Sequence, residues 1–162
     1  MMLTISPMQP GDHDALATLF EHSVRHSAPG HYTPQQVEAW AVGARSPAFL
    51  RELAASEGWV AWLDANRVGF VTLTRTAHLG LLYVAPDHQR QGIGEHLVTT
   101  VLASARERGW HELQTEASLL SLGLFLRLGF RVTALEQIRR GSVLFSRHRL
   151  RYRLSSPVGS LQ

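Results

Sequence analysis

Apolar positions recur along this chain at two periods, and the change between them predicts its elements. Leu16, Leu19, Phe20 and Val24 follow helical spacing, so a helix is expected over about 12–26, with Asp12 or Asp14 able to cap it. "SAPGHYTP" breaks that helix, and Thr33 then caps a second one carrying Val37, Trp40 and Ala41. A third short helix is expected over 47–57. From Trp59 the pattern shortens to the strand period, and "WVAWLD" and "VGFVTLT" read as a hairpin turned at "AN". "HLGLLYV" (His78 to Val84) is a third strand, ended by Pro86, which lacks a ladder donor.

Helical spacing returns at Ile93, Leu97, Val98, Val101, Leu102 and Ala105, one apolar stripe that must lie against the sheet. "HELQTEA" follows as a strand, and "SLLSLGLFLRLG" as a helix stopped at Gly129. "FRVTALEQI" and "VLFSRHRLRYRL" then close the chain as a hairpin turned at "RRGS". This order predicts a single-domain mixed α/β layer fold over 1–154, with a loose tail over 155–162.

Composition narrows the function. With 162 residues and 44% hydrophobic content, the chain can bury one sizeable core. No apolar run is long enough to span a bilayer, and the first residues carry neither a basic segment nor an apolar signal core, so a cytoplasmic protein without membrane attachment is expected. The lack of cysteine excludes disulfides, thiolate metal sites and a cysteine nucleophile. All 16 basic residues are arginine, and the net charge is only +3. Arginine keeps its proton far into the alkaline range, so a high isoelectric point here does not imply nucleic-acid binding.

The stretch "APDHQRQGIGEHLVTTVL" carries the chemistry. A helix start leaves about four amides unpaired and bears a partial positive charge, which suits phosphate oxygens. Gly92 and Gly94 remove side chains that would hold an anion off those amides, Arg90 adds a permanent charge, and Gln89 adds an amide donor. A dinucleotide fingerprint would need a glycine where Leu97 stands, and a triphosphate loop would need a lysine, so neither pattern is met.

Gln89-x-x-Gly92-x-Gly94, placed after "LLYVAPD" and before an amphipathic helix, resembles the acetyl-coenzyme A signature of the GCN5-related N-acetyltransferases (GNAT). "LFLRLGF" (Leu124 to Phe130) is similar to that family's second landmark, and the resemblance covers about 3–154. It implies a mostly antiparallel mixed sheet flanked by helices, in which strand 78–84 splays from strand 111–117 to form the coenzyme cleft. It further implies that amides of Arg90, Gln91, Gly92, Ile93, Gly94 and Glu95 take the pyrophosphate, beside Gln89. Backbone groups of Leu82, Tyr83 and Val84 would pair with the pantetheine arm and polarise the thioester carbonyl.

The activity so implied is transfer of an acetyl group from acetyl-coenzyme A to a primary amine, by direct attack through a tetrahedral intermediate. No metal is required. The acceptor is a small-molecule or peptide amine, and a homodimer is the assembly the family suggests. Many members carry a tyrosine acid where this chain aligns Phe125, with Ser118 and Ser121 in place of other motif positions. Either the thiolate leaves unaided, or Tyr83, Tyr32 or Tyr152 supplies a proton. The missing phenol keeps an alternative open, a non-catalytic acyl-coenzyme A binding or regulatory module.

His78 and Glu116 are the candidate general bases, each equally readable as a surface or capping residue. "GHYTPQQVEAW" falls where the family forms its acceptor wall, which makes His31 and Tyr32 candidates for substrate contact, while Trp40 belongs to a core stripe. His22 and His26 lie four apart without a third metal ligand and read as solvated. Arg147, Arg149, Arg151 and Arg153 alternate on the last strand and read as a solvated face protecting a sheet edge.

Overall fold

The elements run β1 (Leu3–Pro7), α1 (His13–Ser27), α2 (Pro34–Ala41), α3 (Pro47–Ala55), β2 (Glu57–Leu63), β3 (Asn66–Leu73), β4 (His78–Val84), α4 (Ile93–Glu107), β5 (Glu112–Ala117), α5 (Leu122–Arg127), β6 (Arg131–Arg140) and β7 (Val143–Arg153). The computed structural model describes residues 2–154, so the tail expected over 155–162 lies outside the described residues. The strands form one sheet in the order β1-β2-β3-β4-β5-β7-β6. Neighbours are antiparallel throughout except for the parallel pair β4 and β5.

Each face of the sheet carries its own core. On one side the stripe of α4, with Leu97, Val98 and Val101 fully buried, meets Val71, Leu113 and Leu150 of the sheet and Phe125 of α5. On the other, Leu16 and Phe20 of α1, Trp40 of α2 and Phe49 and Leu53 of α3 meet Val60, Phe70 and Phe145. The helical and strand periods thus feed opposite faces of one sheet, as an α/β layer fold demands.

The centre of the sheet is irregular. Val71 pairs with Leu82 and Leu73 with Leu79, so β4 has two residues, Gly80 and Leu81, where β3 has only Thr72. This is a β-bulge, and the buried Thr72 hydroxyl accepts from the Leu81 amide at 2.9 Å to hold it. Without it, Leu79, Leu81 and Tyr83 would all point one way. With it, Leu79 packs on the α4 side while Leu81 and Tyr83 pack on the α1 side. Past the bulge β4 leaves β5: the two pair only at His78 with Gln114 and Leu79 with Thr115.

Several sequence expectations change. β1 was not expected; its five residues offer too short an alternation, and it is fixed by pairing with β2. α5 spans only Leu122–Arg127, because Ser118 makes a turn instead: its carbonyl accepts from Ser121 and Leu122 and its hydroxyl from Leu120. Asp12 does not cap α1 by its side chain, because that carboxylate accepts from the Gln9 amide and from Arg67. Thr33 does cap α2, accepting from the Gln36 amide at 3.1 Å.

The arginines of β7 do not protect an edge, because β7 lies between β5 and β6. They face acidic neighbours across strands: Arg147 bonds Glu136, Arg151 bonds Glu112, and Arg149 stands opposite Glu116. Leu97, with 0% of its surface exposed, locks α4 to the sheet. Leu97→Ala should lower unfolding stability by about 2–5 kcal/mol, read from the midpoint of urea denaturation.

Candidate active site

Where β4 departs from β5, a cleft of about 1260 Å³ opens through the sheet. Its floor is the unpaired edge of β4. One end is the start of α4, and the other is walled by α2, α3 and the β6–β7 hairpin.

The α4 end is built by backbone strain and by free donors. Arg90 and Gly92 both take left-handed conformations, with φ of 64° and 80°. That geometry costs about 1–2 kcal/mol for a residue with a Cβ and turns the chain sharply into the helix. Within the described residues, the amides of Gly92, Ile93, Gly94 and Glu95 find no backbone acceptor, and the first helical bond is that of His96 to the Gly92 carbonyl. Four donors therefore point out of a positive helix end. The side chain of Arg127, also lining the cleft, lies 3.9 Å from the Glu95 carboxylate and adds a cation that sequence reasoning missed.

Two motif residues also make contacts within the fold. The Gln89 Nε2 donates to Ser27 Oγ at 2.8 Å and to the Val84 carbonyl at 3.3 Å. It thereby braces the turn against α1 and β4. Gly94 is small for packing, because a Cβ there would sit 3.0 Å from Leu124 of α5. A Cβ on Gly92 would meet open space, so its requirement is conformational.

At the bulge, titratable side chains converge. His78 Nε2 lies 2.8 Å from both oxygens of Glu116, so the two candidate bases are one pair. Burial pushes the Glu116 carboxyl up, but the His78 hydrogen bond and the charges of Arg147 and Arg149 outweigh it, and the net shift is downward. Facing them across the cleft is Glu52 of α3. Burial holds its carboxyl above the usual carboxylate range, opposed by His78 and reinforced by Glu116, and no hydrogen bond contributes. It lies against the bulge, since a Cβ on Gly80 would come 2.7 Å from Glu52 Oε2. Glu52 went unread, although the sequence held a signal: it shares a helix face with Phe49 and Leu53, where a carboxylate is out of place.

The candidate acids separate. Tyr152 lies away from the cleft, with its hydroxyl accepting from Arg106 and its ring on Phe130. Tyr83 lines the cleft with its phenol pushed up to about 12 by burial, accepting from Trp40 Nε1 at 3.2 Å. Tyr32 also lines it and accepts from the Leu119 amide at 2.9 Å. Phe125 is 1% exposed, packs edge-on to Phe130, and has no proton to give. Leu82, Val84 and Ser118 line the same space, and His31 sits exposed at its rim. Among the described residues no group of three or more potential metal ligands occurs, and no helix is long and apolar enough to cross a membrane.

Residues 29–147 match the family described as acetyltransferase (GNAT) domain, and the chain belongs to that family of acyl-coenzyme A-dependent acetyltransferases. The chain is 32% identical over 152 residues to the uncharacterized N-acetyltransferase YafP of Escherichia coli (strain K12), spanning 93% of this chain and 96% of that one. In fold it resembles a GCN5-related N-acetyltransferase from Rhodopseudomonas palustris, with a TM-score of 0.89 over 95% of this chain and 97% of that one at 24% identity. It also resembles the PaiA N-acetyltransferase of Thermoplasma acidophilum, solved in complex with coenzyme A, with a TM-score of 0.75 over 94% and 99% at 20% identity.

The elevated Glu52 carboxyl has a stability consequence. Its folded value lies above its unfolded one, so between the two the folded chain binds more protons and stability falls as pH rises through that window. Glu52→Gln should therefore raise the melting temperature at pH 7 by about 1–3 °C, with the gain vanishing in acid where Glu52 is protonated anyway. Thermal scans of both proteins from pH 4 to pH 8 check this.

Proposed function

We propose that this acetyltransferase binds acetyl-coenzyme A along the open edge of β4 and passes its acetyl group to a primary amine held between α2, α3 and β7. One observation carries the reading: the strand pair parts beside four free amides at a helix start. The Gly92 to Glu95 amides, together with those of Arg90 and Gln91, would hold the pyrophosphate, with the Arg90 and Arg127 guanidiniums at the mouth. The backbone of Leu82, Tyr83 and Val84 would take the pantetheine arm, against a wall made by Ser118 and Phe125. The complex of PaiA with coenzyme A supports the same use of a shared fold. The proposed setting of the reaction is the cytoplasm.

The acceptor amine arrives as an ammonium and must lose a proton before it can attack. Glu52 is the base in this account: its raised carboxyl is a stronger proton acceptor than an ordinary glutamate, and it faces the bulge where the thioester carbonyl would lie. The His78–Glu116 pair forms the opposite wall, fixes the position of the ammonium and stabilises its charge. Thiolate release then needs no acid from Phe125. Tyr32 and Tyr83 are the two phenols left to protonate it, since each accepts a hydrogen bond and keeps its own proton to give.

Purified protein titrated with acetyl-coenzyme A should bind it, and free thiol should appear only when an amine is added. Glu52→Gln should keep that binding and lower kcat/KM by about 10²-fold or more. The acidic limb of the wild-type pH profile should report a carboxyl above the ordinary range and vanish in the variant. If His78→Gln removes that limb and Glu52→Gln does not, the base belongs to the His78–Glu116 pair instead. Binding without thiol release from any amine would favour the non-catalytic acyl-coenzyme A module.

A further inference from the structure

The acceptor end of the cleft has a polarity that the transfer reaction does not itself require. Arg140, the last residue of β6, lines the cleft and is half-buried. Its guanidinium carbon lies 4.4 Å from the ring centre of Phe145 and 5.1 Å from that of Trp40. These rings and Tyr32 form one aromatic cluster, with Trp40 and Tyr32 5.3 Å apart edge to face. The neighbouring Arg147 is neutralised, because its Nε donates to Glu136 at 2.8 Å. Arg140 has no such partner: no carboxylate among the described residues acts on it, and Arg147 only repels it.

A guanidinium withdrawn from water, stacked on two rings and lacking a counter-ion needs an anion to complete it. Its flat fork of donors suits a carboxylate, and stacking fixes the plane of that fork. One unpaired cation calls for one negative charge, which a carboxylate supplies; a phosphate would bring nearly two. The same cleft is also lined by Glu52 and the His78–Glu116 pair, between which an ammonium belongs. Opposite charges therefore line one cleft, the pattern a zwitterion complements.

Resting on the transferase reading above, we infer that the acceptor is an amino acid or another small amine bearing a carboxylate, and that Arg140 is the specificity-determining residue that grips it. The rings of Tyr32, Trp40 and Phe145 fix the guanidinium, so the distance from carboxylate to amine selects among such acceptors.

The test compares a set of amino acids with their amides and their decarboxylated amines, in thiol release with acetyl-coenzyme A and in direct titration of the protein loaded with coenzyme A. The carboxylate-bearing member of each productive set should lead by about 10- to 100-fold in kcat/KM or in affinity. Arg140→Gln should erase that lead by raising KM, with kcat and coenzyme affinity close to wild type. Arg140→Lys, which keeps the charge without the fork, should retain part of it and serves if the glutamine variant fails to fold. Amides or decarboxylated amines that match or exceed the amino acids in both readouts overturn the inference, as does an Arg140→Gln protein that keeps the preference. Absence of thiol release with every amine bears on the transferase reading instead, and the binding comparison still decides the role of Arg140.

Discussion

Everything this molecule can do depends on two strands that begin as neighbours and then part. β4 and β5 share two register positions and no more. A sheet does not normally give up ladder bonds at its centre, since unpaired backbone groups away from water are costly. Here each strand keeps its other neighbour, β3 for β4 and β7 for β5, and the α4 and α5 side chains pack the α4-side core around the gap. The bulge at Gly80 and Leu81, held by the Thr72 hydroxyl, turns β4 away at that point. The open edge that results presents backbone donors and acceptors in extended spacing, a template for an extended ligand arm.

The distribution of charge around that gap carries a cost in stability. A half-buried carboxyl without a hydrogen bond, a guanidinium without a counter-ion and a left-handed Arg90 are each unfavourable in isolation. All three line the same cleft. The β7 arginines illustrate the contrast, since Arg147 and Arg151 are answered by Glu136 and Glu112 across the strand. Structure that is locally unfavourable and spatially clustered marks the place where binding energy is to be recovered from a ligand.

What the sequence disclosed follows the range of the forces involved. The α4 stripe and the glycine turn were legible because helical periodicity and left-handed backbone leave residue-level marks at Ile93 to Ala105 and at Gly92. β1 was hidden because only its pairing with β2 defines it, and the placement of β7 inside the sheet depends on a topology that no local pattern encodes. Motif matching located Gln89 and Gly94 but not their contacts within the fold. One braces the turn through Ser27 and the other makes room for Leu124, contacts with residues distant in sequence. His78 and Glu116 were found as separate candidates, while their pairing required two strands to come together. Arg140 was missed because its significance lies in a missing partner, which cannot be read from a sequence, whereas Glu52 was marked by its place on the apolar face of α3 and went unread.

Hydrogen exchange with and without saturating coenzyme A addresses the central claim most directly, that the parted strands and the start of α4 form the coenzyme slot. The account predicts slowed exchange at the amides of Gly92 to Glu95 and along the open edge of β4 from Leu82 to Val84, with β1, β2 and β6 unchanged. Binding of coenzyme A that leaves both segments exchanging at their free rates would contradict it.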